Sequence, residues 1–158
     1  MDTLTGMYNR MGYQQLGEES FRISGLNKRK LLILFVDLDR LKYINDTFGH
    51  EYGDVAICAA ARAVLQCSSR DAVPARTGGD EFVLIQSYQS DEVSRELVLR
   101  IRRTLEAEGK AQKLPFPLSM SIGTVVTDPE SALSFADYVK IADSRMYEEK
   151  VQKRAARK

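Results

Sequence analysis

The chain has 158 residues, 44% hydrophobic and 28% charged, with a formal net charge of +1 at neutral pH. That balance argues for one globular domain with a real core and against disorder, and it leaves no global field for nucleic acid or an anionic membrane. No apolar run approaches the roughly 20 residues of a membrane span and the N-terminus carries no signal-peptide pattern, so a soluble cytoplasmic domain is expected.

The opening stretch, Asp2 to Arg10, is turn-rich and leads into a helix with Tyr13, Leu16 and Ile23 at helical spacing, ending near Gly25. Leu31 to Val36 is an unbroken apolar run stopped by Asp37, which predicts a central strand buried on both faces. Asp39 stands where an N-cap belongs before a short helix over Arg40 to Asp46, and a second helix runs from about Glu51 to Gln66 after Gly49-His50. His50 reads as a helix-entry residue. The second helix is apolar nearly all round, with Ala59-Ala60-Ala61 implying close packing. Cys58 and Cys67 lie nine apart in it, on opposite faces, and cannot pair. With a single histidine in the chain, a disulfide framework or zinc site is not expected, and a reducing compartment fits.

Val73 to Arg76 and Glu81 to Gln86 flank Thr77-Gly78-Gly79-Asp80, a predicted hairpin with a two-residue Gly-Gly turn at positive φ. Ser90 caps a helix with Val93, Leu97, Ile101 and Leu105 inward, ended by Gly109. Leu118, Met120, Ile122 and Thr124 alternate with Ser119, Ser121 and Gly123, a strand with one face in the core. Ser134 and Asp137 open a last helix with Phe135, Val139, Ala142 and Met146 inward. The order contains βαββαβ, so the expected fold is α+β: a ferredoxin-like core with an antiparallel central sheet of the nucleotide-cyclase and polymerase-palm kind, decorated by a helix at each end. Right-handed crossovers then place the third strand between the first and second, and Asp37 meets Asp80.

Two carboxylates brought together from separate strands repel, and a cation is the natural remedy. Oxygen-only ligation suits Mg²⁺, which keeps waters and recruits substrate phosphates. Lys42, five residues after Asp37, together with Lys150 and Arg154 on one face of the last helix, would answer those phosphates. The C-terminal cluster Lys150, Lys153, Arg154, Arg157 and Lys158 also reads as a solvated helix end matched to the macrodipole. Asn45 and Asp54 are candidates for base recognition, because a carboxylate accepts two hydrogen bonds from the guanine N1–H and 2-amino edge. The bare Gly78-Gly79 tip lets a phosphate approach the backbone.

The stretches Asp2-x-Leu4-Thr5-Gly6-x-x-Asn9-Arg10, Asp37 to His50 with Gly53-Asp54, Arg76 to Phe82, Ser121-Ile122-Gly123 and Ala142-Asp143-x-x-Met146-Tyr147-x-x-Lys150 occur in the order and spacing of GGDEF domains. The chain resembles a diguanylate cyclase over nearly its whole length. The resemblance implies that Asp37, the Leu38 carbonyl and Asp80 bind Mg²⁺, with Mn²⁺ as a substitute. Glu81 would bind metal or activate the hydroxyl, Asn45 and Asp54 would read guanine, and Lys42, Lys150 and Arg154 would hold the triphosphate against Gly78-Gly79. It implies condensation of two GTP into cyclic di-GMP with release of two pyrophosphates, in a two-fold homodimer. On this reading residues 1–158 form a single GGDEF domain, the C-terminal catalytic part of a longer signalling protein with an upstream sensor, cytoplasmic even if the sensor is membrane-tethered. The isolated domain is expected to associate weakly and to be poorly active.

Several departures qualify the resemblance. Many relatives carry an inhibitory Arg-x-x-Asp site where this chain has Ser69 and Ala72, with Arg70-Asp71 displaced from register, so product inhibition of that type is not expected. Leu41 replaces a usual Phe, Thr77 a usual aromatic, and the glycine-rich tail after Lys150 is absent, which weakens the assignment of Arg154. The competing reading is a catalytically weak or inactive GTP-binding regulatory module. An adenylate or mixed-dinucleotide cyclase is disfavoured by Asp54.

Overall fold

The structure is a computed structural model and describes residues 1–157, so Lys158 of the basic tail lies outside the described residues. The elements follow the expected order: α1 (Arg10–Leu26), β1 (Leu31–Leu38), α2 (Leu41–Phe48), α3 (His50–Cys67), β2 (Val73–Arg76), β3 (Glu81–Ser87), α4 (Asp91–Ala111), β4 (Met120–Val126) and α5 (Phe135–Ala156). The four strands form one antiparallel sheet in the order β2-β3-β1-β4, the ferredoxin-like arrangement predicted from strand order.

Two apolar layers sandwich the sheet. Leu32, Leu34, Val36 and Leu38 of β1 pack with α3 and α4, while Leu31, Ile33 and Phe35 pack with α1 and α5. The unbroken apolar run of β1 follows from this double burial, since a strand covered on both faces has no side for polar residues. Strand alternation then sends Asp37 and Glu81, which follow Phe35 and precede Val83 at two-residue steps, to the α1/α5 face.

Several local expectations are revised. Leu16 and Ile23 of α1 are exposed; the helix buries Tyr13 and Gly17, and a Cβ on Gly17 would meet the Phe135 ring at 2.7 Å. Val93 is exposed, and α4 continues past Gly109, which is buried against Leu118 and serves close approach instead of ending the helix. β4 is covered on both faces, because α5 lies over Ser121 and Gly123. A Cβ on Gly123 would fall 1.9 Å from the Ala142 carbonyl oxygen, so glycine here permits helix and strand backbones to touch. The capping box at the start of α5 is present in full: Ser134 Oγ accepts the Asp137 N–H and Asp137 returns the contact.

Candidate active site

At the C-terminal end of β1 the register sets Asp37 opposite Glu81, and the Leu38 N–H donates to the Asp80 carbonyl at 2.9 Å. The sheet thereby gathers the carboxylates of Asp37, Asp80 and Glu81 at one corner. Burial and the neighbouring Asp80 carboxylate push the Asp37 carboxyl up to about 7, with Lys150 opposing the shift. Glu81 is raised for the same reasons, burial first, then Asp80 and Asp143, with Arg10 and Lys150 opposing. Asp37 Oδ1 is buried and accepts no hydrogen bond from the protein, and a buried carboxylate oxygen of this kind calls for a partner.

The turn between β2 and β3 differs from the expected two-residue Gly-Gly turn. Thr77 N–H donates to the Glu81 carbonyl at 3.0 Å, leaving a three-residue tip of Gly78, Gly79 and Asp80, and neither glycine lies in the left-handed region. The tip is strapped instead. Arg76 donates to the Gly79 carbonyl from Nε (3.2 Å) and Nη2 (2.9 Å) and from Nη1 to Asp2, while Arg10 donates to the Thr77 carbonyl at 3.1 Å. Asp2 is itself locked by the N–H and hydroxyl of Thr5. The opening motif thus acts as a brace: it bonds to β2 through Tyr8 and Pro74, and fixes the hairpin that carries Asp80.

Asp39 is not the N-cap. That position is Arg40, in a left-handed conformation (φ 61) with its guanidinium 4.2 Å above the Tyr43 ring. Asp39 is buried and accepts hydrogen bonds from Ser119 Oγ, Ser121 Oγ and Lys153 Nζ, each at 2.7 Å. Burial alone would raise its carboxyl, but these bonds outweigh it and hold it below the usual carboxylate range. Lys153 also donates to the Met120 carbonyl at 2.7 Å. The signal for this role was present in the sequence, since Lys153 lies one turn beyond Lys150 on the same helix face.

Lys150 lies among the acids. Its Nζ is 3.3 Å from Asp37 Oδ2, 3.4 Å from the Leu38 carbonyl and 3.8 Å from Asp39 Oδ1. Lys42 is exposed on α2 and Arg154 is exposed on the last turn of α5, so the three expected phosphate contacts do not share one environment. The sharp α2–α3 bend at Gly49 (φ 99) sets Asn45 against Gly53: a Cβ on Gly53 would fall 1.8 Å from Asn45 Oδ1, so the amide lies directly on the backbone preceding Asp54. Replacing Gly53 with Ala should displace this amide while sparing the fold, because the clashing atom is a movable side-chain tip. The expected result is a melting temperature within a few degrees of wild type, checked by thermal unfolding.

Residues 1–156 match the family described as "Diguanylate cyclase, GGDEF domain". The chain belongs to the GGDEF family. Among curated relatives of this GGDEF domain, the Cyclic di-GMP phosphodiesterase PdeR of Escherichia coli K12 is 31% identical over 146 residues, 92% of this chain and 22% of the relative. The Probable diguanylate cyclase DgcC of the same strain is 33% identical over 150 residues, 94% of this chain and 40% of the relative. The chain therefore spans less than half the length of these relatives. In three dimensions it is similar to the GGDEF domain of DgcB from Caulobacter crescentus, solved in complex with c-di-GMP, with a TM-score of 0.87 at 22% identity, covering 96% of this chain and 90% of that one; this likeness bears on the fold alone.

Beside Glu81 the GGDEF domain has a cleft of about 270 Å³ between α1 and α5, with Arg10, Lys140 and Asp143 among its lining residues. Among the described residues no group of three His, Cys, Asp or Glu side chains has metal-holding geometry. The candidate donors are instead the Asp37 and Asp80 carboxylates and the Leu38 carbonyl. Hard oxygen donors of that number, with one carboxylate oxygen buried and unpaired, fit a small divalent cation that completes its shell with water and phosphate. No helix among the described residues is long and apolar enough to cross a membrane.

Proposed function

We propose that this domain condenses two GTP into cyclic di-GMP, releasing two pyrophosphates, and that it does so as a two-fold dimer. The observation that carries this reading is the half-buried Asp37 carboxylate, whose buried Oδ1 lacks a partner and which adjoins Asp80 at the sheet corner. Asp37, Asp80 and the Leu38 carbonyl would hold Mg²⁺, or Mn²⁺ in its place, which when bound offsets charge on the triphosphate and on the leaving pyrophosphate.

The chain's own residues do the rest. Asn45 and Asp54 bind the guanine edge, Asp54 supplying the acceptor that adenine cannot use. Lys42 and Arg154 approach the triphosphate from α2 and α5, and the side-chain-free Gly78-Gly79 tip lets it lie against the backbone. In each half-reaction the 3′-hydroxyl oxygen of one GTP bonds to the α-phosphorus of the other, the α–β anhydride bond breaks with its electrons leaving on pyrophosphate, and Glu81 accepts the hydroxyl proton. One domain presents one GTP, so the attacking hydroxyl comes from the nucleotide on a second copy.

Specific activity should therefore rise with protein concentration, and a leucine-zipper fusion should be active at concentrations where the unfused chain sediments as monomer. Incubation of that fusion with GTP and Mg²⁺ should yield cyclic di-GMP, and Asp80→Ala should remove it. A second reading, a regulatory module that binds GTP without turnover, is favoured by the similarity to a relative named as a phosphodiesterase. GTP binding with no cyclic di-GMP from the fused dimer would select it.

A further inference from the structure

Three features of the acid corner bear on how a cation enters it. First, the Lys150 ammonium contacts two of the three oxygen donors assigned to the metal, Asp37 Oδ2 at 3.3 Å and the Leu38 carbonyl at 3.4 Å. Second, its side chain is only 13% exposed, so it is largely enclosed and is not a passing surface contact. Third, the neighbouring Asp39 already accepts from Ser119, Ser121 and Lys153, and the Lys150 ammonium stands 3.8 Å from its Oδ1, beyond hydrogen-bond distance.

We infer that Lys150 and a divalent cation compete for the Asp37 carboxylate and the Leu38 carbonyl, so that cation entry is coupled to triphosphate binding. The inference rests on the proposed assignment of Asp37 and Leu38 as ligands. A cation held by Asp37 and the Leu38 carbonyl would be repelled by an ammonium in its present place, because two positive centres would share one partly desolvated carboxylate. The ammonium is driven away from Asp37, and Asp39, whose charge is already shared with Lys153, offers it a weaker partner. A cation arriving alone therefore displaces the ammonium at a net cost. A cation arriving with a triphosphate brings acceptor oxygens for the same ammonium. Lys150 thus bars unproductive metal binding and becomes a phosphate contact only after the exchange.

The test is Mn²⁺ binding to the full chain without nucleotide, followed by the electron paramagnetic resonance signal of the hydrated ion. Lys150→Met should raise Mn²⁺ affinity about tenfold or more, the effect of removing a nearby positive charge from a half-buried carboxylate. Lys150→Gln, which keeps a polar side chain, should do the same if the methionine variant folds poorly. Lys153→Met, which perturbs the same helix but pairs with Asp39, should change affinity less than threefold. GTP affinity measured with Mn²⁺ should move the opposite way and fall in Lys150→Met. Equal or weaker Mn²⁺ binding by both Lys150 variants, with binding still dependent on Asp37, overturns the exchange alone. Mn²⁺ binding that survives Asp37→Asn, with or without GTP, overturns the metal site itself.

Discussion

Asp37→Asn should make the domain more stable and inactive at once. In the folded chain the Asp37 carboxyl titrates at about 7 against an ordinary value of 3.8, so the folded state holds this proton more tightly than the unfolded one. The resulting stabilisation is complete below pH ~4 and lost as pH rises through ~7. At pH 8 the ionised carboxylate is a liability that asparagine removes. Allowing for solvent screening of a partly exposed corner, the gain is about 1–2 kcal/mol, or about 3–6 °C in melting temperature without divalent cation, and it should vanish near pH 4. Cyclic di-GMP formation by the fused dimer should fall by about a thousandfold or more, since an amide is a poor ligand for a hard cation and carries no charge. Turnover within tenfold of wild type would remove Asp37 from the site. Calorimetry at the two pH values reads the stability half independently of activity.

Gly123→Ala should have the largest effect on stability. The added Cβ would stand 1.9 Å from the Ala142 carbonyl oxygen and 2.3 Å from the Met146 amide nitrogen, both backbone atoms of α5. Neither can rotate away, so the helix must lift from β4. Overpacking of this kind costs about 3 kcal/mol or more, measurable as a lower urea midpoint. Because α5 carries Lys150 and Lys153, the shift should reach the active site even in the fraction that folds. Gly53→Ala is the contrast: an equally close approach, but to the tip of Asn45, whose side chain can turn.

Much of the domain was legible in the chain alone. The element order and the burial of β1 on both faces followed from its unbroken apolar run, and the strand order followed from crossover handedness, which brought Asp37 to Asp80 before any coordinates. The failures share a cause. Asp39, Gly109 and the outer face of β4 were read from local pattern, as a cap, a helix end and a solvent face, and in each case a distant segment supplied the real partner. The positive φ assigned to Gly78 and Gly79 failed for a related reason: guanidinium straps from Arg76 and Arg10 shape that tip.

The Gly78-Gly79 hairpin shows where the division falls. The sequence by itself determined which residue types stand at the site and in what order, because hydrophobic period and strand handedness depend on local chemistry and chirality. It also determined that two acids, Asp37 and Asp80, would converge. Only the tertiary structure decided how that charge is balanced: Lys150 on Asp37 and the Leu38 carbonyl, Lys153 on a buried Asp39, and the opening turn bracing the hairpin through Asp2 and Arg76. These pairings join residues more than 70 positions apart, and electrostatic partners are chosen by distance in space, which no sequence period encodes.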